Sequence, residues 1–221
     1  TIFNTCELSK IKIGDCDLSG FKTHKCYIKD FEFDDKFRTK VDEKTFFDKL
    51  VIRKKDRDEY EGTYMIYETI ADKFKENTLD NNFGEYYFLC KKMEYKTLDP
   101  LPKMSSFIYR VSCGYGERPF NALFLGLFIM IAFSLIYLFI GLKIDDKYVI
   151  YSLSNLKNTD NMVILDHFNK SLTLSTGTFL GVDGYSAEPI NISLLISDIE
   201  MILGVIISGI GIGAFIRKII S

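Results

Sequence analysis

The sequence predicts a mixed fold in three parts: a short N-terminal coil of five-residue repeats, a helical hairpin, and an all-helical membrane part. Three observations predict it. Of the 58 charged residues, 44 lie in residues 1–118 and 14 in residues 119–221. Apolar or small residues recur at every fifth position near the N-terminus, and a run of 24 residues in the second half carries no charge. The predicted parts are residues 1–36, 37–111 and 112–221.

The charge of each half is nearly balanced, with 22 basic and 22 acidic residues before Pro119 and 6 and 8 after it. We therefore expect no nucleic-acid partner, since no strongly basic stretch is present. Enzymatic activity is not expected either. The two histidines, His24 and His167, are far apart, and no nucleotide-binding loop, zinc-protease motif or nucleophile elbow occurs.

The N-terminal part repeats every five residues, which is neither the strand period nor the helix period. The two series are Cys6, Ile11, Cys16, Phe21, Cys26 and Phe31, and Leu8, Ile13, Leu18, Thr23, Ile28 and Phe33. This pattern resembles the pentapeptide-repeat family, which implies a four-sided right-handed β-helix with Cys6 stacked over Cys26. We interpret the cysteines as small core residues; the alternative, a redox or metal site, lacks further ligands at metal-binding spacing.

Between Phe37 and Lys103 the apolar residues follow the helix period in two segments separated by a polar turn at residues 77–82. We expect one helix to be lined by Met65, Tyr67, Ile70, Ala71 and Phe74, and the other by Tyr86, Phe88, Leu89, Met93 and Tyr95. The pattern predicts an antiparallel helical hairpin with mixed charges on its outer faces.

Two apolar segments of the last part are long enough to cross a membrane. As a helix, the uncharged run at residues 119–142 would reach roughly 36 Å, more than the hydrocarbon thickness of a bilayer. The second segment is followed by Arg217 and Lys218. The spans are predicted at about residues 120–142 and 194–216.

Residues 1–118 contain no basic start followed by an apolar run, so we expect this half to stay in the cytosol. Arg110 and Arg118 precede the first span and two basic residues follow the second, so the positive-inside rule places both ends in the cytosol. The predicted location is the cell (plasma) membrane, with residues 143–193 outside.

Gly114-Tyr115-Gly116 has the letters of a potassium selectivity filter, but no membrane helix precedes it. We interpret it as a glycine-rich turn that leads into the first span, with Arg118 at the lipid headgroups and Pro119 at the start of the helix.

The order of these parts resembles a bacterial and archaeal group in which pentapeptide repeats precede a two-helix pore of the potassium-channel family. The resemblance rests on the five-residue repeat, the helical pair, the GYGERP segment at residues 114–119, and the pattern Glu200, Gly204 and Arg217-Lys218. It implies a homotetramer in the lipid membrane. A cytosolic regulatory partner is not identified.

The resemblance implies a pore loop at about residues 168–189, with a pore helix of one to three turns before a filter. The filter residues by this resemblance are Thr178, Phe179, Leu180, Gly181, Val182, Asp183, Gly184 and Tyr185. Their backbone carbonyls would replace the water shell of a cation, and glycines permit the backbone angles that this requires. No cofactor is expected beyond permeating K⁺ or another monovalent cation.

The predicted filter departs from the family pattern, because Val182 stands where the family has Tyr and Asp183 where it has the second Gly. A nonselective or divalent-sensitive cation channel therefore remains the alternative to a potassium channel. Four Asp183 carboxylates around one axis would attract cations, and divalent ions at the pore mouth especially. The alternative for Asp183 is a solvent-facing turn residue.

Two acids lie in the outer part of the second span, Asp198 and Glu200, and they point to nearly opposite sides of a helix. The resemblance implies that Glu200 supports the filter through hydrogen bonds and that Gly204 is a possible gating hinge. The alternatives are that both acids are hydrated at the interface and that the glycines permit close helix packing. A non-conducting, membrane-anchored cytosolic scaffold is the alternative from another functional class.

Overall fold

The computed structural model describes residues 1–48, 50–152, 155, 159–182 and 187–220. The chain divides into two compact units, residues 1–110 and 111–220, and each is considered by itself. The first unit holds short parallel strands and helices with an aromatic core. The second holds the two long apolar helices.

Five short strands form the N-terminal end of the first unit. They are β1 (Ile2–Asn4), β2 (Glu7–Ile13), β3 (Lys22–His24), β4 (Tyr27–Phe33) and β5 (Phe46–Phe47). All pairs are parallel, and β1 pairs with β3 and β2 with β4 at an offset of 20 residues. Cys6 and Cys26 are neighbours across this offset, with their Sγ atoms 2.9 Å apart.

The five-residue repeat is visible in the backbone as a left-handed residue at every fifth position. These residues have φ between 46° and 69° and are Thr5, Lys10, Asp15, Gly20, Lys25 and Asp30. Such angles are uncommon for residues other than glycine. The repeat therefore sets the local path of the chain.

The predicted β-helix is nevertheless wrong. The strands form small separate sheets, ordered β1-β3-β5 and β2-β4, and the described residues contain no closed or solenoid β-helix. The physical reason is that the five-residue pattern ends at Phe33, so only one row of strands stacks on another. In place of a third row there is the two-residue strand β5, and helix α1 (Arg57–Glu76) packs against β4.

Helix α1 is followed by α2 (Asp80–Thr97) and α3 (Pro100–Cys113). The Asp56 side chain caps α1 by accepting a hydrogen bond from the Glu59 backbone N–H at 2.9 Å. Of the residues predicted to line α1, Met65 is more than half exposed, and Ile66 is buried in its place. The predicted face was therefore displaced by one residue at this position.

The core of the first unit joins the strands to α1 and α2. Its buried members are Cys26, Ile28, Phe31, Val41, Phe47, Leu50, Ile66, Tyr67, Ile70, Ala71, Phe74, Tyr86 and Cys90. Two tyrosines in this core reach backbone groups of the strand segment. Tyr86 Oη accepts from the Phe47 N–H at 2.7 Å and donates to its carbonyl, and Tyr67 Oη accepts from the Leu50 N–H at 2.8 Å.

Among the residues that the structure describes, the second unit has a 3₁₀ turn (Gly114–Gly116), three long helices and three strands. In chain order the others are α4 (Phe120–Ile140), β6 (Leu142–Ile144), β7 (Lys147–Val149), α5 (Asn161–Leu180), β8 (Ala187–Pro189) and α6 (Ile192–Ile220). Two helices, α4 and α6, are long and apolar enough to cross a membrane.

The prediction that this unit is all-helical is wrong, because β6 forms an antiparallel sheet with β7 and β8. Each of these strands is only three residues long and lies next to the end of an apolar helix. Three residues are too few to show the alternating apolar pattern that predicts a strand. The helix between the two spans also differs from the expected one to three turns, since α5 has 20 residues.

Candidate functional site

Helix α5 lies along α4 in the opposite direction, held by buried hydroxyl groups. Ser171 Oγ donates to the Ser134 carbonyl at 2.7 Å, and Ser175 Oγ lies 2.8 Å from the Met130 carbonyl. Further along α5, the Phe179 ring packs against Gly126 of α4. Towards the C-terminus of α5, the contacted residues of α4 have lower and lower numbers, so the two helices pack antiparallel.

The carboxyl group of Glu200 on α6 joins all three helices. It has no exposed surface, and it accepts a hydrogen bond from Tyr137 Oη of α4 at 2.6 Å and another from Ser175 Oγ of α5. An acid on an apolar helix is costly unless it is hydrogen-bonded, and here both carboxyl oxygens have a partner. The arrangement ties α5 to both long helices near its last turns.

Gly204 lies one turn after Glu200 and contacts the end of α5. A Cβ atom at this position would lie 2.0 Å from the Phe179 carbonyl oxygen, closer than any real contact. The residue predicted as a hinge is therefore a point of close helix approach in this structure. Whether it also bends during gating stays a prediction.

The first predicted filter residues form the end of α5. Thr178, Phe179 and Leu180 are its last three residues, and Gly181 has the left-handed conformation with φ of 69°. The Gly181 N–H donates to the Thr178 carbonyl and the Val182 N–H to the Gly177 carbonyl, which is the Schellman pattern of a helix C-terminus. Gly181 is thus a helix cap, a role that sequence reasoning missed.

The predicted filter residues have different surroundings where they are described. Phe179 is buried, Thr178 is half-buried, and Leu180 and Val182 are exposed. The predicted residues Asp183, Gly184 and Tyr185 lie outside the described residues.

A cavity of about 570 Å³ lies beside the C-terminal end of α5. Its lining mixes apolar and polar side chains from α5, β8 and α6, among them Thr178, Val182, Glu188, Ser197 and Asp198. Asp198 is exposed, whereas Glu200 is buried. The two acids therefore point to different sides of α6, as their two-residue spacing predicts.

The electrostatic field at this end of α5 favours a cation. The last carbonyl groups of a helix carry the negative end of its dipole, equivalent to about half an elementary charge. Thr178, Gly181 and Val182 at this end line the cavity, and the Asp198 carboxylate faces it from α6. A cation in the cavity would meet partial and full negative charges from two helices.

The opposite end of α6 is tied to the turn before α4. Arg217 Nη2 donates to the Glu117 carboxylate at 2.7 Å, and Arg217 Nη1 lies 3.4 Å from the Tyr115 carbonyl oxygen. The Glu117 side chain is only 8% exposed. The glycine-rich turn has three consecutive left-handed residues, Gly114, Tyr115 and Gly116, and thereby brings Glu117 to the end of α6.

Sequence reasoning missed Tyr137, Ser171 and Ser175 as partners of this site. The available signal was the presence of hydroxyl groups on apolar helices, where a polar side chain needs a partner. Comparison with known protein families, with curated proteins and with solved structures finds no match to the chain. Its function must be argued from its own residues.

Proposed function

We propose that four copies of this chain form a membrane channel that conducts K⁺ or other monovalent cations. The observation that carries the proposal is the descent of α5 between the two apolar helices, held by the Glu200 contacts and by Gly204. A two-helix membrane anchor does not require a third helix of 20 residues that packs antiparallel along the first apolar helix. Such a helix brings a polar chain segment into the membrane, which costs free energy without a function.

The depth reached by α5 supports a site inside the bilayer. Phe179 packs at Gly126, and α4 continues to Ile140, which places the end of α5 about 20 Å along α4 from its outer end. The cation-favouring end of α5 is then surrounded by hydrocarbon, where a charge interaction is stronger than in water. The segment from Thr178 to Tyr185 would form the ion path.

Four subunits are proposed because one copy has too few helices to enclose water while satisfying its own backbone. In a tetramer, four α5 C-termini and four Asp183 carboxylates would converge on one axis. This charge favours cations over anions and favours a divalent ion in the pore.

The proposed topology has both apolar helices crossing the cell membrane and both ends in the cytosol. Arg118 precedes α4 and Arg217-Lys218 lie in the last turns of α6, which fits the excess of basic residues found on the cytosolic side. The sheet of β6, β7 and β8, which follows the outer end of α4, would then lie on the outer side.

Ion flux into liposomes tests the proposal. Purified full-length chain in vesicles loaded with K⁺ should release K⁺, and Glu200→Leu should reduce the rate by at least about tenfold, because Tyr137 and Ser175 lose their buried partner. Asp146→Asn, a change at a 91% exposed acid outside the membrane, is the control and should leave the rate unchanged. A folded tetramer without flux would instead favour a membrane-anchored scaffold.

Block by external divalent ions tests the role of Asp183. Wild-type current should fall when Mg²⁺ or Ca²⁺ is added outside, and Asp183→Asn should weaken this block. Asp146→Asn should keep it. If all three proteins are blocked equally, Asp183 does not line the ion path.

A further inference from the structure

Strand β4 has a free edge. Among the described residues its sheet has two strands, β2 and β4, so β4 pairs with a strand on one side only. Both strands have seven residues, and every other strand that the structure describes has two or three. A free edge presents unpaired backbone N–H and carbonyl groups, and proteins usually keep such edges very short or cover them. A seven-residue edge without proline is therefore open to a further strand.

The chain begins to pair with this edge and then leaves it. The Tyr27 N–H donates to the Cys6 carbonyl at 3.0 Å, which places β2 on that side of β4. The Cys26 carbonyl belongs to the same trans peptide group, so it points to the opposite side, where it accepts from the Val51 N–H at 3.2 Å. Soon after Val51 the chain enters α1, and no described strand continues along the edge of β4.

A groove of about 620 Å³ lies beside this edge. Five consecutive residues of β4, 27–31, line it. Because successive side chains of a strand point to opposite faces, a groove lined by consecutive residues borders the edge of the strand and not one of its faces. Helix α1, which packs against β4, forms the opposite wall with Gly62, Met65, Ile66 and Thr69, at spacings of three and four.

The wall formed by α1 leaves room for a further segment of chain. A glycine inside a helix weakens it relative to alanine. A Cβ atom at Gly62 would meet no atom of the described residues within 4 Å, so no contact within this unit calls for glycine there. Met65, on the same wall, is 54% exposed. The wall thus offers both space and apolar surface opposite the edge of β4.

The charges around the groove favour a basic occupant. Its lining contains three basic residues and four acids: Lys29, Arg53 and Lys54, and Asp30, Asp56, Asp58 and Glu59. Arg53 is already paired with an acid outside the lining, since its Nη2 lies 2.7 Å from Glu7 Oε2. Four carboxylates then remain against two lysines, so a segment with positive charge is the complementary one.

We propose that an extended, basic peptide segment of a partner protein binds in this groove as a third strand beside β4. Its backbone would pair with the free edge at a strand spacing of about 4.8 Å, and its lysine or arginine side chains would meet the carboxylates. The volume of the groove lies in the range of ligand sites in proteins. The inference concerns the first unit alone and depends neither on ion conduction nor on the membrane.

Binding of a synthetic peptide to the full chain in detergent micelles tests the proposal. The probe is a fluorescent peptide with the sequence lysine-valine-threonine-valine-lysine-valine-threonine, and fluorescence polarisation measures its binding. Two control peptides carry N-methyl groups on alternate residues, one at the odd and one at the even positions. Only one set of N–H groups can face β4, so one control should bind at least about tenfold more weakly than the other. Bound probe should also slow hydrogen exchange at the β4 amides.

A variant that fills the groove provides the second arm. Gly62→Phe should weaken binding of the probe at least about tenfold, whereas Asn81→Phe, which places the same ring at an exposed position of α2 outside the groove, should not. Gly62→Ala tests whether the helix accepts a side chain here. It should unfold at the temperature of the wild type or above it, because its Cβ enters open space.

Four outcomes would overturn the proposal. Equal binding of the two methylated peptides would exclude pairing with a strand edge, and undiminished binding to Gly62→Phe would place the probe elsewhere. The third is a wild type that does not bind the probe. The fourth is protection of the β4 amides that rises with protein concentration in the absence of peptide, which would show that a second copy of the chain covers the edge.

Discussion

The two units of this protein bury opposite kinds of side chain. The first unit buries aromatic and aliphatic residues and keeps most of its charges at the surface. In the second, α4 and α6 expose Phe, Leu and Ile along their lengths, while Ser134, Ser171, Ser175 and Glu200 have no exposed surface. This difference is the one expected when the first unit is surrounded by water and the second by lipid.

The comparison shows which forces hold each unit together. Apolar burial drives folding in water, so the first unit gains stability from its aromatic core. In the proposed membrane setting, apolar side chains gain little from leaving lipid, so the second unit would depend on close approach at small residues and on hydrogen bonds between helices. The changes below are ordered from the largest expected effect to the smallest.

Gly204→Ala should have the largest effect, because the new Cβ would collide with the Phe179 carbonyl of α5. We expect the second unit to lose more than about 3 kcal/mol, at or beyond the upper range for overpacking, because backbone has to move. Denaturation in mixed detergent micelles measures the loss. Gly213→Ala is the control, since a Cβ there meets no atom within 4 Å; equal losses for both would contradict the packing of α5 on α6.

Asp35→Asn should destabilise the first unit by about 3 kcal/mol near neutral pH, the lower end of the cost of breaking a buried ion pair. Lys73 Nζ lies 2.7 Å from Asp35 Oδ2 with both side chains about nine-tenths buried, and Glu76 remains as a second partner for the ammonium. Urea unfolding of the two proteins measures the difference.

The same pair gives a pH dependence. Hydrogen bonds from Lys73 and then from Thr39 lower the pKa of Asp35 below its usual range. Since the folded pKa is the lower one, the stabilisation is complete above the unfolded pKa of about 4 and is lost as the pH falls below it. The gap between wild type and Asp35→Asn should therefore shrink in acid; a constant gap would show that the pair's charge does not contribute.

Tyr86→Phe should cost about 2 kcal/mol, because it leaves both the N–H and the carbonyl of Phe47 without a partner in the core. Tyr67→Phe removes one bond, to the Leu50 N–H, and should cost less. Burial raises the pKa of Tyr67 to about 12, so the hydroxyl stays protonated in the assay. Hydrogen exchange should accelerate at the Phe47 amide in one variant and at the Leu50 amide in the other.

Glu94→Gln should have the smallest effect, below about 0.5 kcal/mol, since its ion pair with Lys91 lies on the surface of α2 with both side chains about one-third exposed. Together, Asp35→Asn and Glu94→Gln compare the loss of a carboxylate–lysine ion pair at a buried position and at a surface position. Similar losses in the two variants under urea would contradict the account of the first unit.

The sequence indicated the long apolar helices well and the small sheets badly. An uncharged run such as residues 119–142 has few possible environments, so its length alone predicts a spanning helix. The five-residue repeat does coincide with a left-handed residue at every fifth position, but whether rows of strands close into a coil depends on how many rows follow. After Phe33 they do not, and α1 covers β4 instead.

The site was predictable only in part for a similar reason. The acid at Glu200 stands out on an apolar helix, whereas its partners Tyr137 and Ser175 become visible only when three helices are brought together. Gly181 was assigned to the filter because the family pattern has a glycine at this position, but in the structure this glycine ends helix α5. Sequence carries the identity of such groups, and packing decides their neighbours.

The central claim is that the end of α5 lies beside a path for cations. The zero-current potential of the reconstituted tetramer across a tenfold KCl gradient tests it most directly. Cation conduction predicts a value near the K⁺ equilibrium potential, about 59 mV in magnitude for one charge. A potential of the opposite sign, which follows chloride, or the absence of current from a folded tetramer would contradict the account.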